Sequence, residues 1–351
     1  MPEKLERVRY NPLTRHLFYW FRGLFCKKSL TRNAIRNLNA FGVQFHNEGE
    51  RQKTIENMIK TYQKYGFGFD EYLCYHFDNR TDNQKRQFVP NWERAHACHL
   101  MNSKANDELF DNKYMTYEKF RQFYGREVLE LDCSMKCKEN FKDFIGRHNR
   151  FIVKRIDGSF GRGVQIYDVS DFSSLEEMYG RIQSSYNRKI IVEELIEQSP
   201  EMALFHPRSV NTVRVSTVRF DDVTRIIHPF MRLGRGDSVV DNAGAGGIIA
   251  QLDGETGKVY AAADEHGKFY LVHPDTQVPI VGFTVPRWDD ARELACRLAQ
   301  VVPDNRYTGW DLALTPKGWV MVEGNRKGQF VWQIPRQIGF RGELNDILGH
   351  L

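Results

Sequence analysis

Apolar positions recur first at spacings of three and four, then at a spacing of two. Leu13, Leu17, Trp20, Phe21, Leu24 and Phe25 fall on one broad helical face, with Arg15, Arg22, Lys27 and Lys28 mostly off it. Ile55, Met58, Ile59 and Tyr62 repeat in the same way until Tyr65-Gly-Phe-Gly-Phe breaks the helix. Leu73–Phe77 and Trp92–Met101 predict further helices, and Ser103 is a cap for another that runs to Phe110. From residue 125 the period changes. Strands are predicted at 125–131, 151–154, 164–167, 189–192, 209–219, 226–233 and 248–252, with a hairpin at 309–325. Helices are expected at 137–148, 172–185 and 288–302, the last strongly amphipathic, and a short closing helix in the tail from Ile338. Helices first and mixed elements afterwards make this an α+β chain.

Within the hairpin, Gly309-Trp-Asp311 begins one strand and Glu323-Gly-Asn325 ends the other, around a Pro316-Lys-Gly318 turn. Folding there brings Asp311 beside Glu323 and Asn325. Two carboxylates and an amide are a hard, oxygen-only donor set, suited to Mg²⁺ rather than zinc. An ordinary hairpin with acids near its end would carry the same residues.

A second stretch runs Phe151-Ile-Val-Lys154, then Gly158-Ser159-Phe160-Gly161-Arg-Gly163, then Val164–Tyr167. Such a hairpin can fold over a polyphosphate, its glycines admitting backbone N–H groups to the oxygens and Lys154 supplying charge. It has neither the Gly-Lys-Ser/Thr of a P-loop nor the strand-turn-helix of a dinucleotide fold. The strand at 189–192 stops at Glu193-Glu194-Leu195-Ile196, where exposed backbone and a carboxylate can meet an adenine edge or ribose. Arg214 projects from a strand rich in β-branched residues, a place where arginine needs a carboxylate or phosphate. Gly246-Gly247 permits either close approach to a ligand or a tight turn.

With 351 residues and 41% hydrophobic composition the chain can bury a large core, and a net charge of +5 demands no nucleic acid. Six cysteines without a framework, and a His96–Cys98–His99 cluster without a partner motif, point to reduced thiols and no zinc. No run of 18 apolar residues and no signal peptide are evident, so a cytoplasmic protein is expected.

In order, these elements resemble the ATP-grasp superfamily, and within it the branch associated with sugar transfer in surface-polysaccharide synthesis. The resemblance covers about residues 100 to 340. Its carriers are Lys104, Lys154 with Gly158–Gly163, Glu193–Ile196, Ser209-Val-Asn211-Thr-Val-Arg214, Asn242 with Gly246-Gly247, and Asp311, Glu323, Asn325. It implies two α+β lobes (101–195 and 196–351) clasping ATP; the family's usual Rossmann-like preceding lobe is not evident in residues 1–100, which read as helix-rich. Lys104 and Lys154 would meet the phosphates under Ser159, Phe160, Gly161 and Gly163. Glu193, Glu194, Leu195 and Ile196 would hold adenine, with Glu197 or Glu201 on the ribose. Asp311, Glu323 and Asn325 would hold two Mg²⁺. Arg214, Asn211 and Lys154 would act in the chemistry, and Arg232, Asn242, Gly246 and Gly247 on the substrate side.

The implied activity is an ADP-forming carboxylate–amine ligase working through an acyl phosphate, joining an amino acid or small acid to an amino sugar or glycan precursor. A sugar phosphotransferase and a nucleotide-binding scaffold are the alternatives. The 13–28 helix is expected to pack on the core; its other use would be contact with a membrane or a glycosyltransferase.

Overall fold

A computed structural model describes residues 12–132, 135–158, 163–186, 189–221, 223–242, 244 and 246–350. Two antiparallel sheets carry the architecture. The smaller has the order β1-β4-β2-β3, built from β1 (Val128–Leu131), β2 (Arg150–Arg155), β3 (Gln165–Asp168) and β4 (Ile190–Glu194). Alternation along β2 and β4 turns Phe151, Val153, Ile190 and Val192 toward the helices Met135–Ile145 and Leu175–Tyr186, which supply Phe141, Phe144, Met178 and Ile182. Lys154 and Glu193 are thereby left to the opposite face.

The larger sheet has the order β10-β9-β5-β6-β7-β8: β5 (Val213–Phe220), β6 (Val223–Leu233), β7 (Ile248–Leu252), β8 (Val259–Asp264), β9 (Tyr307–Thr315) and β10 (Gly318–Asn325). One face receives the amphipathic helix Trp288–Val301 through Ala291, Leu294, Ala295 and Leu298. The other packs Ile227, Phe230, Ile249 and Tyr307 in a single core with the N-terminal helices and the tail residues Trp332, Phe340 and Leu344. The helix-rich beginning of the chain thus shares its core with the large sheet.

The expected break after Tyr65 is there: the helix Glu48–Tyr65 ends at Gly66, whose φ of 76° suits glycine at a C-cap. Strand β5 begins later than its pattern suggests. The N–H of Asn211 goes to Gln198 and that of Thr212 to the Asp241 carboxylate, so both are satisfied outside the ladder. Ser103 starts only a single turn, Lys104–Asn106, before a short helix, Asp107–Asp111. The first helix departs from expectation most. Helix Pro12–Phe25 rests on the body through Tyr19, against Tyr62 and Trp92, while Leu17, Phe18, Trp20, Phe21, Leu24 and Phe25 stay exposed. Amphipathic periodicity fixes which residues share a face but not what covers it.

Candidate active site

Along β9 and β10 the register pairs Thr315 with Gly318 and Leu312 with Met321, then slips, so that Glu323 stands opposite Asp311 and Asn325 opposite Gly309. Val322 is the extra residue. Uninterrupted pairing would set Val322 against Asp311 and turn Glu323 to the other face; the bulge puts both carboxylates on one face. The Asn325 amide donates to Glu323 at 3.1 Å and to Asp311 at 3.3 Å.

Asp311 is completely buried and doubly paired. Arg214, its cross-strand neighbour on β5, grips it through Nε and through Nη2 at 2.9 Å, and Arg232 of β6 reaches it at 3.0 Å. Gly309 makes room for this: a Cβ there would lie 2.8 Å from Arg214 Cδ. Arg232 is held in turn by Thr212 Oγ1 at 3.0 Å and Asp241 at 3.3 Å. Burial pushes Glu323 up, but Lys113, then Arg232 and the Asn325 amide, outweigh it and hold the carboxyl down at about 2.

Across the cleft, Lys154 Nζ meets Glu193 at 3.1 Å, and Arg126 Nε donates to the same carboxylate at 2.9 Å. Burial alone would raise Glu193; Lys154 and then Arg126 bring it below the usual range. Arg126 also donates to the carbonyls of Met321, at 2.7 Å, and Val322, at 3.3 Å. One buried guanidinium therefore fastens the small sheet to the bulge of the large one. Lys113 donates to the Gly158 carbonyl at the start of the glycine hairpin. Lys113, Lys154, Glu193, Arg214, Arg232, Glu323 and Asn325 line one cleft of about 1130 Å³, at the roomy end of ligand sites, together with two further cations, Arg94 and Lys327.

Of the residues expected from the sequence, Lys154, Glu193, Arg214, Arg232, Asn242, Glu323 and Asn325 line this cleft. Asp311 lies just behind its surface. Ser159, Phe160 and Gly161 are outside the described residues; Gly163 is exposed, with φ 73°. Lys104 is exposed on its short turn and does not line the cleft, whereas Lys113 does. Glu193 is taken up by two cations, which makes it a positioning group for Lys154 rather than an acceptor for a base. Glu194 accepts from the Glu127 N–H, and Leu195 and Ile196 are half-buried outside the cleft lining. Glu201 is exposed on the short helix Pro200–Ala203, also away from it.

Asn211 is fully buried, its amide donating to Gln198, Met202 O and His206 O and accepting from Gly234 N–H, so it positions the loop and not a substrate. At Gly247 a Cβ would come within 2.4 Å of the Asp241 carbonyl, and Gly246 has φ 90°; the pair serves a tight turn of the chain itself.

Sequence reasoning missed Lys113 and Arg126. For Lys113 a signal existed: it is the first residue of the Asn112-capped helix Lys113–Phe120, the end where a cation is disfavoured unless an acceptor compensates. Arg126 offered none.

Could the hairpin hold a divalent ion? Among the described residues no three His, Cys, Asp or Glu groups come together for one. The donor set of Glu323, Asn325 and the Asp311 oxygens is nevertheless hard and oxygen-only, and Mg²⁺ habitually completes its shell with water and phosphate oxygens. The residues fit that ion, with Glu323 the more available carboxylate because Asp311 is shared by two arginines.

Residues 93–348 match the model of the family described as sugar-transfer-associated ATP-grasp. Among solved structures, the ATP-grasp ligase PsnB with its minimal precursor is similar at 16% identity, covering 72% of this chain and 64% of that one, with a TM-score of 0.43. The D-alanine–D-alanine ligase of Helicobacter pylori is similar at 13% identity (69% and 61% covered, TM-score 0.43). VanG, the D-Ala:D-Ser ligase of Enterococcus faecalis, is similar at 12% identity (71% and 64%, TM-score 0.47). The chain thus spans under two thirds of the length of these structures. No curated protein matches. The chain belongs to the sugar-transfer-associated ATP-grasp family.

Proposed function

We propose that this chain is an Mg²⁺/ATP-dependent ligase that activates a carboxylate as an acyl phosphate and passes it to an amine. The observation that carries this is the bulge at Val322, which sets Glu323 beside Asp311 in a cleft also lined by Lys113, Lys154, Arg214 and Arg232. A cleft so rich in cations suits a polyphosphate; a carboxylate held ionised beside an amide suits the metal that accompanies it.

ATP would lie between the sheets, its phosphates against Lys154 and Lys113 under the glycine hairpin, Ser159, Phe160 and Gly161 included. Glu323 and Asn325, with Asp311 behind them, would hold Mg²⁺ (two ions are expected from the family), which would neutralise charge on the transferring phosphoryl group. The carboxylate oxygen of the acid attacks the γ-phosphorus and ADP leaves. The amine then attacks the acyl carbon, phosphate leaves, and the amine gives up a proton. Arg214 and Arg232, fixed by Asp311, present cationic N–H groups to the negative charge that builds on the acyl phosphate. No protein nucleophile is required.

The donor would be an amino acid or small acid and the acceptor an amino sugar or glycan precursor, in surface polysaccharide synthesis at the cytoplasmic face of a membrane; the family's association with sugar transfer supports a sugar-bearing acceptor. Incubation with Mg²⁺, ATP, hydroxylamine and a panel of amino acids tests the reading. ADP with a hydroxamate for one acid supports it. ADP that appears only with sugars, and never with a hydroxamate, would replace it with sugar phosphorylation.

A further inference from the structure

The helix Pro12–Phe25 touches the rest of the chain along a narrow strip. Tyr19 stands edge-on to Tyr62, 4.8 Å between ring centroids, and Gly23 lies tight against the Gln63 side chain. At roughly 100° per residue, Leu17, Phe18, Trp20, Phe21, Leu24 and Phe25 fill an outward arc of about 160°. Each is between 45 and 79% exposed. Single exposed apolar side chains are ordinary; six in one continuous arc mark a contact surface.

Charge identifies the occupant. Between residues 7 and 47 there are eight Lys and Arg and no Asp or Glu, in a chain whose total is +5, so the rest of the chain carries −3. Lys27, Lys28, Arg32 and Arg36 are exposed, the last three one turn apart on the next helix, Lys27–Ala40. A second copy of this chain, meeting it about a twofold axis, would bring two such cationic margins together. An anionic bilayer surface takes both the apolar arc and the cations. The helix does not span: its 14 residues reach about 21 Å against a hydrocarbon core of roughly 30 Å.

We propose that Pro12–Phe25 lies in the plane of a bilayer containing anionic lipid, its arc in the acyl boundary and Lys27, Lys28, Arg32 and Arg36 over the headgroups. This deepens the membrane-face location given above and stands apart from the ligase chemistry. Tyr19, on the inner strip, lines the cleft, so the bilayer would lie beside the site.

Flotation of the full chain with phosphatidylcholine vesicles, with and without phosphatidylglycerol, tests this. The chain should float with the anionic vesicles. Trp20→Ser, Phe21→Ser and Phe25→Ser together should cut binding by at least about tenfold. Lys28→Gln, Arg32→Gln and Arg36→Gln together should remove most of the preference for phosphatidylglycerol, roughly fivefold per charge. A cooperative melt shared by all variants excludes misfolding. Wild type that stays unbound, or a triple serine variant that floats equally well, overturns the proposal. So does a dimer in sedimentation velocity that the serine variant dissolves. Flotation is read without ATP, so a failure of the ligase reading leaves this result intact.

Discussion

Arg126 donates to the carbonyl of Val322, the one residue of β10 that stands outside the pairing with β9. The same guanidinium donates to Glu193, which holds Lys154. The bulge that aligns the acidic groups and the cleft lysine Lys154 therefore share one anchor, and the two walls of the cleft are set relative to each other by it.

Arg126→Ala should then weaken both walls at once. We expect a loss of roughly 3 kcal/mol in stability, because Glu193 keeps only Lys154, together with a raised KM for ATP and a lowered kcat. Arg126→Lys keeps the charge but not the fork, and should restore stability more than activity. Denaturant melts alongside ADP formation check this; a lysine variant as active as wild type would reduce Arg126 to a packing role.

Asp311→Asn and Glu323→Gln should separate structure from chemistry. The first leaves Arg214 and Arg232 buried without their shared anion, and should cost roughly 3–5 kcal/mol. The second should spare cooperative unfolding and remove Mg²⁺-dependent turnover. Parallel melts and ADP assays at neutral pH show which pattern holds.

Gly309→Ala puts a methyl group against Arg214 Cδ. The guanidinium must shift from Asp311 and the cleft, so kcat should fall at least tenfold (about 1.4 kcal/mol of barrier) while KM for ATP changes little. Single-turnover kinetics distinguish that split from a general loss of fold.

Acid stability gives an independent reading of Glu323. Its carboxyl sits at about 2 against an ordinary 4.5. A depressed carboxylate adds stability that is fully present above the unfolded value and disappears as pH falls through the folded one. Wild type should therefore lose melting temperature between about pH 4.5 and 2 more steeply than Glu323→Gln. Equal slopes would show that Glu323 is not held ionised by its neighbours.

How far the sequence carried depends on the range over which each feature is decided. Alternation and turn residues are local, so the strands, the 316–318 turn and the helix Trp288–Val301 were legible, and with them the meeting of Lys154, Arg214 and Glu323 in one cleft. The bulge is a single inserted residue in a strand of unremarkable composition, and period-two reading ran straight through it. The pairing of Glu193 was not legible, because its partners, Arg126 and Lys154, reach it across strands and not along the chain. Asn211 looked chemical and proved to be bound up in a loop, since side-chain amides serve both uses equally well. The outer arc of Pro12–Phe25 has the periodicity of a core helix, and only the tertiary structure shows that nothing among the described residues covers it.

The central claim, that Glu323 and its neighbours support formation of an acyl phosphate, is tested most directly by oxygen transfer. With Mg²⁺, ATP and an amino-acid panel labelled with ¹⁸O in the carboxylate, the phosphate released should carry one label per molecule by ³¹P NMR, and Glu323→Gln should release none. Unlabelled phosphate accompanying ADP in the wild type would contradict the account.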